Sequence, residues 1–153
     1  MININIYGVI ISILMILPLF IVLLFKPNIR IRHIEHKQIK IIEFISYSGN
    51  LFFGFITLDN MGYHKINEVT FVLWVIIFLL LYFFMLFLYL RYIIKGKKEE
   101  YLYNKFIIRA PIALIYALLF LISGILLFNP FILFFAPFYL FSHYYIEYKK
   151  NYK

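Results

Sequence analysis

Five polar residues stand out in a strongly apolar chain as candidates for chemistry: Glu43, Tyr47, Asn50, Arg109 and His143. In a helix, Glu43, Tyr47 and Asn50 would share one face, because they follow one another at spacings of four and three residues. A carboxylate, an imidazole and a guanidinium that meet inside a membrane can move protons or hold an anionic headgroup. We therefore expect a polar cluster that faces the interior of a helical bundle, with Glu43 within reach of Arg109 or His143.

The same polar positions also have a purely structural interpretation. Charged residues are common at the ends of membrane helices, where they compensate one another or extend to lipid phosphates. The polar face of the second span would then be the seam of the bundle, with hydrogen bonds and close packing between helices. The residues expected in that seam are Ser46, Gly49, Asn50, Gly54 and Thr57.

The composition indicates that these residues lie in a membrane protein. Hydrophobic residues make up 65% of the chain and charged residues 14%, whereas soluble domains have about 45–50% and about 25%. The net charge is +8, and the basic residues fall in short gaps between apolar segments. This placement indicates contact with anionic headgroups at the cytoplasmic face and no nucleic-acid partner. The absence of cysteine excludes disulfides and thiolate metal sites.

Five segments have the length and the apolar character of membrane spans, since a helix needs about 20 residues to cross the hydrocarbon core. Asn129-Pro130 disfavours the continuation of a helix, so we predict a tight hairpin between the last two spans. The predicted spans are residues 7–25, 40–58, 69–92, 110–128 and 131–146.

The basic residues orient these spans, because Lys and Arg concentrate in cytoplasmic loops. They are frequent in residues 26–40, in residues 91–109 and in the C-terminal tail, while residues 59–68 contain only Lys65. Five spans put every basic segment on the cytoplasmic side. We therefore predict an all-α membrane protein: a five-transmembrane-helix bundle that forms one polytopic domain over residues 1–153. Its N-terminus lies outside, and its C-terminus is cytoplasmic.

Tyrosines concentrate near the predicted inner ends of the spans. Amphipathic rings are enriched where a membrane meets water, so we predict an aromatic belt at headgroup level rather than a cofactor site. The tyrosines concerned are Tyr89, Tyr92, Tyr101, Tyr103, Tyr144, Tyr145, Tyr148 and Tyr152.

With the helices placed in this way, the chain resembles small bacterial multi-pass membrane proteins that have no assigned activity. The features that carry the resemblance are Pro18 and Pro27 in and after the first helix, Glu43 at the start of a polar second span, Pro111 at the start of the fourth, Ser123-Gly124 near its end, and the C-terminal SHYYIEYKKN. The resemblance implies a location in the bacterial plasma membrane, and it transfers no functional residue.

The sequence contains no P-loop, no G-x-S-x-G, no H-E-x-x-H and no Gly-rich dinucleotide turn. We therefore predict no catalytic, cofactor-binding or metal-ligating set. The first hypothesis is helix-mediated interaction, as an accessory subunit or as an immunity or resistance factor, with lipid, a protein or a second copy as partner. Two alternatives stay open. One is an enzyme that acts on lipid at the inner leaflet through Glu43, Arg109 and His143, and the other is a proton-linked or ion-conducting oligomer.

Overall fold

The computed structural model describes residues 2–26, 37–58, 66–98, 101 and 111–148. Five helices make up most of these residues, and each corresponds to one predicted span. They are α1 (Ile6–Leu24), α2 (Lys37–Phe55), α3 (Glu68–Ile94), α4 (Pro111–Leu126) and α5 (Pro130–Tyr148). The prediction of an all-helical chain with five helices is confirmed for the described residues, apart from two strands of three residues.

The two short strands form a feature that the sequence analysis did not predict. Strand β1 (Ile2–Ile4) pairs antiparallel with strand β2 (Ile56–Leu58). The second span was predicted to continue to residue 58, but α2 ends at Phe55, and Thr57 lies in β2 opposite Asn3. Thr57 therefore does not belong to a helical seam. Its β-branched neighbour Ile56 suits a strand. Next to the pairing, the Asn5 N–H donates to Phe55 O at 3.2 Å, one of the carbonyls that the end of α2 leaves unbonded.

Asparagine side chains mark the starts of helices α1 and α3. Asn5 Oδ1 accepts hydrogen bonds from the backbone N–H groups of Tyr7 at 3.0 Å and Gly8 at 3.4 Å. Asn67 Oδ1 accepts one from Val69 at 2.9 Å. Each amide oxygen satisfies N–H groups that have no partner within the first turn of a helix.

The turn between α4 and α5 confirms the break predicted at Asn129-Pro130. Helix α4 ends at Leu126, and Phe128 adopts a left-handed backbone conformation with φ of 47°. Pro130 occupies the first position of α5, where a backbone N–H is not required. Asn129 Oδ1 accepts from the N–H of Phe131 at 3.1 Å, so that one residue both ends the turn and begins the next helix.

Helix α4 is the centre of the bundle, and most of its residues are buried. It packs between α3 and α5, α5 also packs along α2, and α1 packs on α2. The central position explains why α4 is apolar around its circumference, since a helix without a solvent-facing side buries every face.

The outer surface of the bundle is apolar. Large hydrophobic side chains on α1, α2, α3 and α5 are exposed, for example Phe83 at 63% and Phe141 at 70%. Helices α1 and α3 are long and apolar enough to cross a membrane, and only 22% of the most apolar stretch of each is buried. Soluble monomers rarely expose apolar patches larger than a few hundred Å². This surface indicates association with a membrane.

The ends of the helices meet in two groups, one at each end of the bundle. At one end, called the sheet end, β1 and β2 join the N-terminus to the end of α2, and Asn129 Nδ2 donates to Phe53 O at 2.8 Å. At the other end, called the Glu43 end, Tyr92 OH of α3 donates to Phe25 O at the end of α1 at 2.6 Å. The five helices therefore run alternately up and down.

Candidate functional site

Glu43 and His143 meet at the Glu43 end of the bundle. His143 Nδ1 and Glu43 Oε1 are hydrogen bonded, and the two side chains are 12% and 23% exposed, respectively. A carboxylate on Nδ1 orients the imidazole and favours the tautomer with its proton on that nitrogen. This contact is one of the two that the sequence analysis expected. The other candidate partner of Glu43, Arg109, lies outside the described residues.

The pair is held by the close packing of α2 against α5. Tyr139, one turn before His143, stacks on the imidazole with ring centroids 5.1 Å apart and planes inclined by 19°. The ring therefore has a neighbour on its face as well as a carboxylate on its edge, and both restrain its orientation.

A cavity of about 590 Å³, called the Glu43 cavity, lies beside the pair. Its volume falls within the range of about 300–1,000 Å³ that is typical of small-molecule sites. Apolar side chains, four tyrosines, a lysine, a glutamate and a histidine form its lining. The lining residues are Leu19, Val22, Leu23, Lys40, Glu43, Phe44, Tyr47, Tyr89, Ile112, Tyr116, Tyr139 and His143.

Tyrosines from different helices form the wall of the cavity that lies deepest in the bundle. Tyr47 OH of α2 donates to Met15 O of α1 at 3.1 Å, and its ring lies edge-on to that of Tyr116 at 6.4 Å. The hydroxyls of Tyr89 and Tyr116 are 3.5 Å apart. The predicted belt at headgroup level is wrong for Tyr89 and Tyr92, which are buried in the bundle core. Their hydroxyls bond to groups of neighbouring helices, which an interfacial position would not require.

The cavity opens sideways between α1 and α2. Leu23 of α1 is 63% exposed and Phe44 of α2 is 71% exposed, yet both line the cavity. Lys40, also exposed, stands at the same edge. We call these three residues the mouth. It joins the interior of the bundle to the apolar outer surface.

The polar face of α2 points inwards as predicted, but its hydrogen bonds differ from the prediction. Ser46 and Asn50 are buried. Ser46 Oγ donates to Ile42 O at 2.7 Å, and Asn50 Nδ2 donates to Ser46 O at 2.9 Å. The expected bonds between helices are therefore wrong for both residues, because each side chain reaches a carbonyl one turn back in its own helix. Asn50 Oδ1 has no hydrogen-bond partner among the described residues.

Small residues bring α1 and α2 into backbone contact near the sheet end. A Cβ added to Gly8 would overlap the carbonyl oxygen of Gly54, and one added to Gly54 would overlap Ser12 Oγ. Gly54 was predicted at such a seam, whereas Gly8 was missed. The spacing of Gly8 and Ser12, two small residues four apart, is the signal that predicts this contact. Gly49, also expected there, faces α5 instead, where an added Cβ would lie 3.2 Å from the Phe135 ring.

No protein-family model, curated protein or solved structure matches the chain. The resemblance to small bacterial multi-pass proteins therefore stays a prediction. Within the described ranges, no group of three or more His, Asp or Glu side chains is placed to hold a metal ion. The candidate site consists of the Glu43–His143 pair and the cavity beside it.

Proposed function

We propose that the chain is a five-span protein of the bacterial plasma membrane with its N-terminus outside and its C-terminus in the cytoplasm. The alternation of helix ends supports this topology, because the N-terminus and the α4–α5 turn meet at the sheet end. The basic segments follow or precede helix ends at the Glu43 end. Helix α4, with 16 residues, is about 24 Å long, and its neighbours shield it from lipid along most of that length.

We propose further that the protein acts by binding within the membrane, as an accessory subunit or as an immunity or resistance factor. The observation that carries this proposal is the Glu43 cavity, which has a lateral mouth and an apolar lining. Such a cavity accepts an apolar chain or the side chains of a partner helix. Among the described lining residues there is no serine, threonine or cysteine that the Glu43–His143 pair could activate as a nucleophile.

A photo-crosslinking amino acid at position 44 tests this proposal in membranes. Phe44 lies at the mouth, whereas Phe52, equally on α2 and exposed, lies away from the cavity and supplies the matched control. We expect a discrete adduct from position 44 that disappears when Leu23→Trp blocks the mouth. Leu23 is exposed, so this change leaves the core packing intact. The same adducts from position 52, or adducts insensitive to Leu23→Trp, would contradict binding at the mouth.

The Glu43–His143 hydrogen bond favours one second candidate, an enzyme that acts on lipid at the inner leaflet. With Glu43 holding Nδ1–H, Nε2 of His143 would accept the proton of an attacking hydroxyl. Arg109 keeps its predicted part in this alternative, as a donor to phosphate. Lipid extracts from cells that overproduce the protein separate the two functions. An enzyme alters the lipid composition and loses this effect on Glu43→Gln, whereas a binding protein leaves the composition unchanged.

A further inference from the structure

The Glu43–His143 pair offers hydrogen-bond acceptors to a ligand in the Glu43 cavity. His143 gives its Nδ1–H to Oε1 of Glu43, so its Nε2 carries a lone pair. Oε2 of Glu43 has no hydrogen-bond partner among the described residues. The Glu43 side chain is 23% exposed and lines the cavity, so that Oε2 is accessible rather than sealed in the bundle. A polar group that binds at the pair must therefore donate a hydrogen bond.

Other polar groups of the lining already have partners within the protein. Tyr47 OH donates to the backbone of α1 at 3.1 Å, and the hydroxyls of Tyr89 and Tyr116 are 3.5 Å apart. Lys40 at the mouth also has an interaction with another group. We therefore assign the polar contact of a ligand to the pair alone, and the ligand needs no contribution from these four residues.

The rest of the cavity suits an apolar chain that runs from the pair towards the middle of the bundle. Leu19 and Val22 of α1 and Ile112 of α4 line it, and Tyr47 lies one turn further into the bundle than Glu43. The mouth opens towards the apolar outer surface of the bundle. A ligand that enters through the mouth comes from the lipid phase, with its head at the pair and its chain in the interior.

We propose that the Glu43 cavity binds a lipid alcohol, which is an apolar chain whose head is one uncharged hydroxyl. The hydroxyl donates a hydrogen bond to Oε2 of Glu43, and the chain fills the apolar interior. An ionised carboxylate or phosphate head has no proton to donate, and Glu43 would repel it. An ammonium would also donate, but a charge costs far more than a hydroxyl to move from water to an apolar cavity. The inference rests on the binding role proposed above and names the class of ligand.

Four compounds that share one chain and differ in their heads test the inference. The purified full-length protein in mild detergent is incubated with an equimolar mixture of oleyl alcohol, oleyl methyl ether, oleylamine and oleate. The compounds that stay bound through size exclusion are then quantified by mass spectrometry. The ether matches the shape of the alcohol but has no proton to donate. We expect the alcohol to be retained at about tenfold preference over the ether, the factor that one hydrogen bond to a charged group supplies.

Variants resolve which part of the site acts. Glu43→Gln keeps an acceptor without the charge, so the preference for the alcohol over the ether should fall to about threefold, because a neutral hydrogen bond is about half as strong. Glu43→Leu has no acceptor and should abolish the preference. Continued retention of the ether reports that both variants are folded. Leu23→Trp should lower the retention of alcohol and ether alike, and Ile13→Trp, an exposed position on α1 away from the cavity, should not.

The possible failures are distinguishable. Equal retention of alcohol and ether that Leu23→Trp still abolishes would overturn the lipid alcohol and leave binding in the cavity standing. A preference for oleylamine or oleate over the alcohol would overturn it in favour of a charged head. A preference for the alcohol that persists in Glu43→Leu would overturn the assignment of the hydrogen bond to Glu43. Retention that Leu23→Trp leaves unchanged would contradict both the lipid alcohol and the proposed site of binding.

Discussion

Replacing Gly8 by alanine should separate helices α1 and α2. The added Cβ would overlap the carbonyl oxygen of Gly54 and lie 2.9 Å from its carbonyl carbon, and these are backbone atoms that cannot rotate away. Relief requires the two helices to move apart, and overpacking of this kind costs about 1–3 kcal/mol. Alanine returns up to about 1 kcal/mol through its higher helix propensity. We therefore expect a net loss of about 1–2 kcal/mol.

Two matched glycines on α2 calibrate this value. At Gly54 the new Cβ would overlap the hydroxyl oxygen of Ser12, which can rotate, so Gly54→Ala should cost less than Gly8→Ala. At Gly49 it would meet the Phe135 ring at 3.2 Å, a contact that a small ring shift relieves. Gly49→Ala should therefore be neutral or slightly stabilising, because the gain in helix propensity is retained.

The assay measures the midpoint of thermal unfolding in mild detergent, and fluorescence-detected size exclusion reports the fraction of folded protein at each temperature. For a chain of this length, 1 kcal/mol corresponds to about 2–4 °C, so Gly8→Ala should lower the midpoint by about 2–8 °C. The midpoint should fall most for Gly8→Ala and less for Gly54→Ala, and it should not fall for Gly49→Ala. A Gly8→Ala protein as stable as the wild type, or one more stable than Gly49→Ala, would refute the backbone contact between α1 and α2.

The same assay tests three further substitutions. Asn129→Ala removes the cap of α5 and the hydrogen bond from Nδ2 to Phe53 O, so the free energy of unfolding should fall by about 2 kcal/mol. An unchanged midpoint would contradict the role of Asn129 as a cap and as a link to α2. Asn50→Leu should change the free energy of unfolding by no more than about 1 kcal/mol, because the hydrogen bond of Asn50 Nδ2 lies within its own helix and Oδ1 has no partner among the described residues. A large loss of stability would reveal a hydrogen bond to another helix. Tyr92→Phe should cost about 1 kcal/mol through the lost bond to Phe25 O, and no change would argue against that contact.

The helices and the turn could be predicted because their signals are local. Long apolar segments mark four of the five helices, and the break at Asn129-Pro130 follows from two adjacent residues whose backbone preferences oppose a continuous helix. The inward polar face of α2 follows from the spacing of Glu43, Tyr47 and Asn50 in the same way. The contact of Glu43 with His143 was expected from their common depth, although 100 residues separate them.

The remaining features depend on which helices become neighbours. The space left by an adjacent helix decides whether Ser46 bonds to that helix or to its own. The spacing of residues in the sequence carries no information about that space. Tyr89 belongs to the core only because α4 lies against α3, and its neighbours in the sequence are typical of an interface. The strand pair needs the chain start beside Ile56, and this proximity exists only once α1 and α2 are packed.

Cysteine accessibility in intact cells tests the central claim, which is that all five helices cross the membrane and that the Glu43 cavity lies at its cytoplasmic side. The chain has no native cysteine, so single probes are clean. Ile4 and Phe128 are exposed at the sheet end and suit external probes. Gln38 and Lys95 are exposed at the Glu43 end. Cysteine at 4 or 128 should react with an impermeant maleimide in intact cells, and cysteine at 38 or 95 only after permeabilisation. Labelling at 95 in intact cells, or protection at 128 when 4 is labelled, would contradict the five-span topology.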